Sequence, residues 1–336
     1  MTDLSADDLL LLEVDSLCVD YRLKGTTWRA IDNVSFDLRV GEAVALVGES
    51  GCGKTTTAMA IAGLLSPNAY VRNGEIRYRG ERLYIDDDAA MRAHRWSHTS
   101  VVFQGAMNAL NPVHRVINQI AEPCMLKLGL SRNAAKIRAA ELLELVGIPA
   151  DRRSSYPHQL SGGMRQRVMI AMALACHPSI VIGDEPTTAL DVITQAQIIK
   201  LLGDLRAKLR LSLMLITHDL AVVAESCDRV MIMYAGRIVE EGAVADIFAR
   251  PKHPYTQLLI DSIPDPAHGK RMIKPIPGDP PNLLNRKSGC AFHPRCPSAM
   301  AVCATQLPNL GRSGQGRVAC HLDRSSSLQD EIPAYV

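Results

Sequence analysis

Residues 43–55 of this 336-residue chain read AVALVGESGCGKT, and this stretch is the strongest indication of its fold. An apolar run, Ala43–Val47, leads into a glycine-rich turn that ends in Lys54 and Thr55. Glycines let such a turn curl so that backbone N–H groups converge on phosphate oxygens, and the helix that follows directs its positive end at the same anion. Lys54 would add charge at the β- and γ-phosphates, and Thr55 would offer a hydroxyl to Mg²⁺. The residues predicted to bind the phosphates are Gly48, Ser50, Gly51, Cys52, Gly53, Lys54, Thr55 and Thr56.

The composition is that of a globular protein. Hydrophobic residues make up 47% and charged residues 21% of the chain, which excludes disorder over most of its length. The net charge of +2 gives no sign of a nucleic-acid partner. No apolar run approaches the roughly 20 residues of a membrane helix, and the N-terminus carries Asp3, Asp7 and Asp8 but no Lys or Arg, unlike a signal peptide. We therefore predict a cytosolic protein whose nine cysteines are reduced thiols.

Proline marks the main boundary, because twelve of the 19 prolines lie from Pro251 onward. We expect an α/β domain over residues 1–250 and a proline-rich C-terminal extension over residues 251–336. Within the first domain, Ser131 can cap an amphipathic helix that stops at Gly147. This pattern predicts a helical insertion at about residues 106–165.

Three further apolar runs end at polar residues, as Ala43–Val47 does. Apolar runs without polar alternation indicate strands buried on both faces, as in a parallel sheet. Active sites of such sheets lie outside the carboxyl ends of the strands, so we expect one shared site. The runs and the residues that follow them are Ser100–Phe103 with Gln104, Ile180–Ile182 with Asp184, and Leu213–Ile216 with His218.

Two adjacent acids, Asp184 and Glu185, follow the apolar run Ile180–Ile182 after one glycine. Asp184 could hold a magnesium-bound water, and Glu185 could polarise the water that attacks the γ-phosphate. An acid after a strand also suits a turn or a helix cap. Downstream of a phosphate loop, the pair indicates nucleotide hydrolysis.

The segment Leu160-Ser161-Gly162-Gly163-Met164 begins another predicted helix, which we expect to run to Cys176. Ser161 is a natural N-cap, and the two glycines let the helix N-terminus approach an anion closely. With these motifs in this order, residues 12–250 resemble the ATP-binding subunits of ABC transporters. The resemblance implies an α/β P-loop NTPase (RecA-like) core with an antiparallel β subdomain and a helical signature subdomain, and it implies ATP hydrolysis.

The same resemblance implies roles for four motifs. Gln104 would be the Q-loop glutamine near the metal, and Ala189-Leu190-Asp191 would be the D-loop. His218 would hold the γ-phosphate and orient the catalytic Glu185. Tyr21 would stack on adenine.

Two further assignments concern the adenine-stacking aromatic and the magnesium ligands. Trp28 is the alternative to Tyr21 as the adenine-stacking aromatic. Mg²⁺ would be held through Thr55, Gln104 and Asp184.

The resemblance also implies a complex at the cytoplasmic face of the cell membrane. In a head-to-tail dimer, the signature residues Leu160–Met164 would contact the ATP held by a second ATPase subunit, expected to be a paralogue. Two membrane permease subunits and an extracytoplasmic solute-binding protein would complete the transporter. No nucleic acid is expected.

The C-terminal extension narrows the resemblance to oligopeptide/dipeptide importer ATPases, through His253-Pro254-Tyr255-Thr256 and the cysteine-bearing residues 288–297. Gly105-Ala106 depart from that pattern, in which an acid–proline pair commonly follows the glutamine. Peptide cargo is therefore the first expectation. Nickel, oligosaccharides, glutathione and antimicrobial peptides are alternative cargoes, and a non-transport ABC ATPase is a remote alternative.

Four cysteines, Cys290, Cys296, Cys303 and Cys320, fall within the last 47 residues. Their spacing lacks both the C-x2-C pairs of zinc sites and the runs of ferredoxins, so it leaves the metal open. Four thiolates from a loop-rich segment suit a soft metal centre. The resemblance suggests a [4Fe–4S] cluster; zinc, with His293 or His321, and free thiols or disulfides are the alternatives.

Overall fold

The computed structural model describes residues 9–23, 25–105, 109–188, 190–262, 275–285 and 288–323. Ala106, Ala189 of the predicted D-loop and residues 263–274 and 324–336 of the C-terminal extension lie outside these residues. The strands are β1 Leu10–Leu23, β2 Thr26–Arg39, β3 Ala43–Val47, β4 Ala69–Tyr78, β5 Glu81–Leu83, β6 Thr99–Val102, β7 Ile180–Asp184, β8 Ser212–Thr217, β9 Arg229–Tyr234, β10 Arg237–Ala243, β11 Gly311–Ser313 and β12 Gly316–Val318.

The α-helices alternate with the later strands. They are α1 Lys54–Ala62, α2 Asp88–His94, α3 Val116–Leu128, α4 Arg132–Leu145, α5 Gly162–Ala173, α6 Val192–Leu209, α7 Leu220–Ser226, α8 Val244–Ala249 and α9 Pro254–Asp261. Within the described ranges, none of them combines the length and the apolar character that a bilayer crossing requires.

The larger sheet has the order β11-β12-β10-β9-β3-β8-β7-β6, and the four predicted strands form one half of it, from β3 in the middle to β6 at the edge. β3, β8, β7 and β6 pair in parallel, as the sequence predicts. Every residue of β3, β7 and β8 is buried, because helices or the smaller sheet cover both faces; this is why these runs lack polar alternation. The predicted run Ser100–Phe103 is one residue out of step with β6.

The smaller sheet is the antiparallel β subdomain that the resemblance implies. Its order is β2-β1-β4-β5, and each pair is antiparallel. The inward side chains of β1 and β2, such as Leu17 and Ile31, share one apolar cluster with Ile182 and Ile216 of the larger sheet. The subdomain is therefore packed onto the sheet that carries the phosphate loop.

The helical subdomain consists of α3, α4 and α5, which share one apolar core. The predicted cap is present, since the Ser131 hydroxyl accepts a hydrogen bond from the Ala134 N–H at 3.3 Å, and the chain turns at Gly147 with φ 77°. The predicted extent of the signature helix is wrong, because α5 ends at Ala173 rather than Cys176. After Ala173 the chain tightens into turns, since the N–H of Ala175 donates to the Met172 carbonyl at 3.1 Å and the N–H of His177 to the Leu174 carbonyl at 3.2 Å, each only three residues back.

The C-terminal extension is built onto the far edge of the larger sheet. β12 pairs with β10, and β11 pairs with β12, so these strands continue the sheet beyond the domain limit expected at residue 250, which stays a prediction. Tyr255 of α9 and Phe292 are buried against Tyr234 of β9, with ring centroids 4.7 Å and 5.2 Å from that of Tyr234. The sequence predicts loops here and misses α9 and both strands.

Arg229 connects the two sheets. It lies at the start of β9, and its Nε donates to Glu42 before β3 at 2.8 Å. Its Nη1 pairs with the buried carboxylate of Glu241 on β10 and, at 3.5 Å, with Asp37 on β2. One half-buried guanidinium therefore neutralises three acids from three elements.

Replacing this residue by methionine, R229M, keeps the apolar stem but leaves buried carboxylates unpaired. We expect the free energy of unfolding to fall by about 3–5 kcal/mol, measured by urea denaturation. The control is R250M, because Arg250 is 83% exposed and its loss should change stability by less than about 0.5 kcal/mol. Equal stability of the two variants would contradict the connecting role.

Candidate nucleotide site

The turn between β3 and α1 has the form of a phosphate-binding loop. Gly53, at φ 109°, precedes α1, and no side chain accepts a hydrogen bond from the first N–H groups of that helix. Lys54 is buried, and its ammonium donates to the carbonyl oxygens of Gly48 at 2.7 Å and Glu49 at 2.9 Å. The loop thus places backbone N–H groups that have no side-chain acceptor and the buried ammonium of Lys54 at one helix N-terminus, and this arrangement suits a phosphate group.

A hydroxyl and a carboxylate meet beside this loop. Oγ1 of Thr55 donates at 3.1 Å to Oδ1 of Asp184, the last residue of β7. Burial raises the pKa of Asp184, and the hydrogen bond from Thr55 acts in the opposite direction. Hard oxygen donors suit Mg²⁺, which takes its other ligands from water and phosphate oxygens. The residues present therefore fit a magnesium ion that arrives with a nucleotide.

Glu185 is the centre of a second group of contacts. Its Oε2 accepts from Gln104 Nε2 at 2.7 Å and from Thr188 Oγ1 at 2.9 Å. Its Oε1 lies 3.2 Å from Nδ1 of His218. An ionised carboxylate can only accept, so with Glu185 ionised the proton of His218 is on Nδ1. The structure brings together the three predicted residues Gln104, Glu185 and His218 at the ends of β6, β7 and β8.

The backbone of Glu185 is left-handed, with φ 46°. For a residue with a side chain this conformation costs of order 1–3 kcal/mol and is common where a structure must aim a functional group. The N–H of Glu185 donates to the Ile216 carbonyl of β8 at 2.8 Å. The neighbouring strand therefore fixes the direction in which the carboxylate points.

Both candidates for the adenine-stacking aromatic lie next to α1. The rings of Tyr21 and Trp28 stack on each other, with centroids 4.8 Å apart and 13° between their planes. The Tyr21 hydroxyl lies 3.3 Å from Oγ1 of Thr56. The two rings form one platform at the phosphate-loop helix, so the geometry does not choose between them.

The signature and D-loop residues form a separate cluster. Ser161 caps α5 by accepting from the Met164 N–H at 3.3 Å. Asp191 caps α6, accepting from both the backbone and the hydroxyl of Thr194, and these bonds hold the pKa of Asp191 below its ordinary value. Gly163 packs on Thr194, because a Cβ at Gly163 would lie 2.5 Å from Cγ2 of Thr194. Leu160 is buried and Gly162 is half-buried, whereas Val192 and Ile193, directly after Asp191, are 83% and 74% exposed, so the exposed edge of this cluster carries apolar as well as polar side chains.

The candidate site around the phosphate loop is exposed to solvent on one side. Thr55, Gln104 and His218 are exposed, whereas Lys54 and Asp184 are buried. A different cavity, of about 1010 Å³, lies between β10 and the C-terminal extension. Its lining carries two arginines and two aspartates, but Arg237 pairs with Asp32 and Arg295 pairs with Glu49. The lining contains no residue of the phosphate loop, so the nucleotide is not assigned to this cavity.

The four cysteines of the extension line one small pocket together with His293 and His321. All nine cysteines of the chain are free thiols. The predicted metal centre is not supported, because within the described ranges no three His, Cys, Asp or Glu side chains are placed to hold a metal ion. Burial raises the pKa of Cys290, Cys296 and Cys320, which favours protonated thiols here.

Sequence reasoning missed three residues that contact the site. Thr188 lies three residues after Glu185, so its place in the DEPTT run was a usable signal. The hydroxyl of Tyr255 accepts from the Glu49 N–H at 2.9 Å, and nothing in the sequence around Tyr255 indicates this contact with the phosphate loop. Arg295 pairs with Glu49 from 246 residues away, a distance at which no local pattern applies.

The fold and these clusters together define an ATP-binding cassette: a phosphate loop, an acid pair, a glutamine and a histidine at the strand ends, with a capped glycine-bearing helix on a separate helical subdomain. The profile described as ABC transporter matches residues 31–188. The profile described as oligopeptide/dipeptide transporter, C-terminal region, matches residues 239–303.

Relatives and solved structures agree with this class. The dipeptide transport ATP-binding protein DppD of Haemophilus influenzae is 45% identical over 93% of this chain and 96% of its own. The oligopeptide transport ATP-binding protein OppD of Salmonella typhimurium is 44% identical over 93% of each chain. The dimeric post-hydrolysis structure of the cassette MJ0796 bound to ADP and Pi has a TM-score of 0.63 at 28% identity, over 70% of this chain and 99% of that one. The chain belongs to the family of ABC transporter ATP-binding proteins, whose general activity is ATP hydrolysis.

The contact between Gly163 and Thr194 generates a stability test. Because Thr194 is held by Asp191, it cannot turn away, and G163A should cost about 1–3 kcal/mol of unfolding free energy through overpacking. T194S removes Cγ2 but keeps the hydroxyl, so G163A/T194S should recover most of the loss in thermal or urea unfolding. No recovery in the double variant would show that Gly163 is not packed this way.

Proposed function

We propose that this chain is the ATP-hydrolysing subunit of an importer that carries dipeptides or oligopeptides across the cytoplasmic membrane. The observation that carries the ATPase part is the Glu185 carboxylate, held between Gln104 and His218 next to Asp184. The peptide part is supported by the match of residues 239–303 and by the cargo named for relatives that are 44–45% identical.

Within the site, the phosphate loop would bind the triphosphate. Lys54 would leave the two loop carbonyls and pair with the β- and γ-phosphates. Thr55, Asp184 and Gln104 would hold the Mg²⁺ that accompanies ATP, which neutralises phosphate charge when bound. The remaining loop residues named above, Gly48 and Ser50–Thr56, would supply backbone and hydroxyl donors, and Tyr21 would stack on adenine.

Glu185 would act as general base. Its carboxylate would accept the proton of the attacking water while the new bond forms to the γ-phosphorus and the bond to the leaving ADP oxygen breaks. Gln104 and Thr188 fix one carboxylate oxygen, which leaves Oε1 as the proton acceptor. His218 would donate from Nδ1 to that oxygen, and with Nε2 also protonated it would donate to a γ-phosphate oxygen.

The open side of the site would be covered by a second ATPase subunit, a paralogue in our proposal. Ser161–Gly163 would then contact the γ-phosphate bound by the partner, with Leu160 and Met164 supporting the turn and Asp191 at the shared boundary. The dimeric state of the MJ0796 cassette with ADP and Pi supports this arrangement.

The same proposal places the chain at the cytoplasmic face of the membrane. Two permease subunits would span the bilayer, and an extracytoplasmic solute-binding protein would deliver the peptide. The names of the transport ATP-binding relatives support such a complex.

Replacing Glu185 by glutamine tests the catalytic assignment. E185Q keeps the size and the hydrogen-bonding oxygen but removes the basic group, so ATP should still bind while turnover falls by about a hundredfold or more. Phosphate release by the assembled complex and ATP binding by the full chain are the two measurements. E81Q is the control, because Glu81 is exposed on the small sheet. Near-normal turnover of E185Q would reject the role of Glu185.

The C-terminal thiols support a separate proposal, that Cys290, Cys296, Cys303 and Cys320 hold a [4Fe–4S] cluster, with zinc as the alternative. Its support is that four thiols, the ligand set of such a cluster, line one pocket. Thiols must lose their protons to bind a metal, so loading would require ligand movement and proton release. Its expected role is to hold a small, loop-rich extension together.

Metal analysis of protein purified without oxygen tests this proposal. We expect iron and acid-labile sulfide in equal amounts, and we expect both to fall in C296S. C227S is the matched control, because Cys227 is half-buried and lies outside the pocket. Zinc without iron would select the alternative, and no metal in the wild-type chain would reject both.

A further inference from the structure

The C-terminal extension contacts the phosphate loop directly. The guanidinium of Arg295 binds the carboxylate of Glu49 through two parallel hydrogen bonds, from Nη1 to Oε2 at 2.6 Å and from Nη2 to Oε1 at 2.8 Å. The Arg295 side chain is 6% exposed and that of Glu49 is 21% exposed. Glu49 is the second residue of the loop that begins at Gly48. A bidentate, largely buried ion pair is among the stronger and more directional polar contacts in proteins.

Arg295 is itself held in place. Its Nε donates to the carbonyl of Pro277 at 2.7 Å, and its Nη1 also lies 3.2 Å from the hydroxyl of Tyr234. Arg295 is the last residue of a short 3-10 helix, His293–Arg295. Phe292, directly before this helix, packs on Tyr234. The guanidinium therefore has a fixed position from which it can restrain Glu49.

A second residue of the extension holds the backbone of Glu49. The hydroxyl of Tyr255 accepts from the Glu49 N–H at 2.9 Å, and Tyr255 is fully buried. The carbonyl of Glu49 accepts from Lys54 Nζ at 2.9 Å. Glu49 is thus bound at three points: its side chain and N–H by the extension, and its carbonyl by the lysine that serves ATP.

We propose that the C-terminal extension sets the ATP affinity of this cassette, with Arg295 and Tyr255 as positioning residues that hold the phosphate loop in its binding conformation. A loop ordered before the ligand arrives loses less conformational entropy on binding. Arg295 also neutralises the one carboxylate within the loop, which would otherwise repel a triphosphate. The inference deepens the proposed ATPase function and does not depend on the cargo.

A merely structural ion pair would give a different result from a positioning one. A pair that only attaches the extension would change the melting temperature and leave ATP binding alone. A positioning pair changes the affinity for ATP and the KM, with little effect on kcat at saturating ATP, because Glu185 and His218 lie on other strands.

The experiment measures ATP affinity of the full-length chain by calorimetry, together with its melting temperature, for R295Q, E49Q, R295Q/E49Q and Y255F. R312Q is the matched control, since Arg312 lies in the same extension and is exposed. R295Q should bind ATP about tenfold more weakly, in the range expected within one hydrogen-bond network. R295Q/E49Q should bind more tightly than R295Q, because the unpaired carboxylate is gone. Y255F should weaken binding several-fold, and R312Q should match the wild type.

Kinetics of the assembled complex add the second readout, with KM raised in R295Q and kcat within about twofold of the wild-type value. R295K should recover only part of the affinity, because an ammonium cannot form the two parallel bonds. Wild-type affinity in folded R295Q and Y255F, or a double variant as weak as the product of the single effects, would overturn the proposal. If R295Q does not fold, E49Q and Y255F decide it, since wild-type affinity in both would overturn it equally. K54A should lose ATP binding in any case, so a failure of the nucleotide site itself would be recognised separately.

Discussion

The parallel pairing of β3, β8, β7 and β6 is the constraint on which the rest of the structure depends. Val47 pairs with Thr217, Asp184 with Ile216, and Val102 with Gly183, so four strands end at the same edge. The phosphate loop, the acid pair, Gln104 and His218 follow those ends directly. A shift of one strand by a single residue would reverse its faces and separate these groups. The chemistry therefore depends on the register of a fully buried sheet.

The polar groups of the site divide into buried and exposed ones. Lys54 and Asp184 are buried, and each already has hydrogen-bond partners within the chain. The groups that would face the γ-phosphate, His218 and Gln104, are exposed. A site of this kind excludes water only when another surface closes over it. In our proposal, that surface is the cluster of Ser161, Gly163 and Asp191 on a second ATPase subunit.

The sequence predicts the parts of this account that local physics determines. The strands follow from unbroken apolar runs, and the start of the signature helix follows from the Ser161 cap. The end of that helix is three residues earlier than the sequence predicts, because Leu174–Cys176 are as apolar as the helix before them and nothing in their sequence marks the change to turns. The contact of Arg295 with Glu49 could not be predicted, since it depends on how an extension 246 residues away folds back. The three-residue strands β11 and β12 are too short to show periodicity.

The most direct test is the crystal structure of the full chain with Mg²⁺ and ATP. We predict that Nζ of Lys54 leaves the carbonyl oxygens of Gly48 and Glu49, which lie 2.7 Å and 2.9 Å from it here, and contacts the β- and γ-phosphates. The metal should lie at Thr55 and Asp184, and Arg295 should still bind Glu49. A nucleotide bound elsewhere, with Lys54 still on both carbonyls, would contradict the assignment of the site.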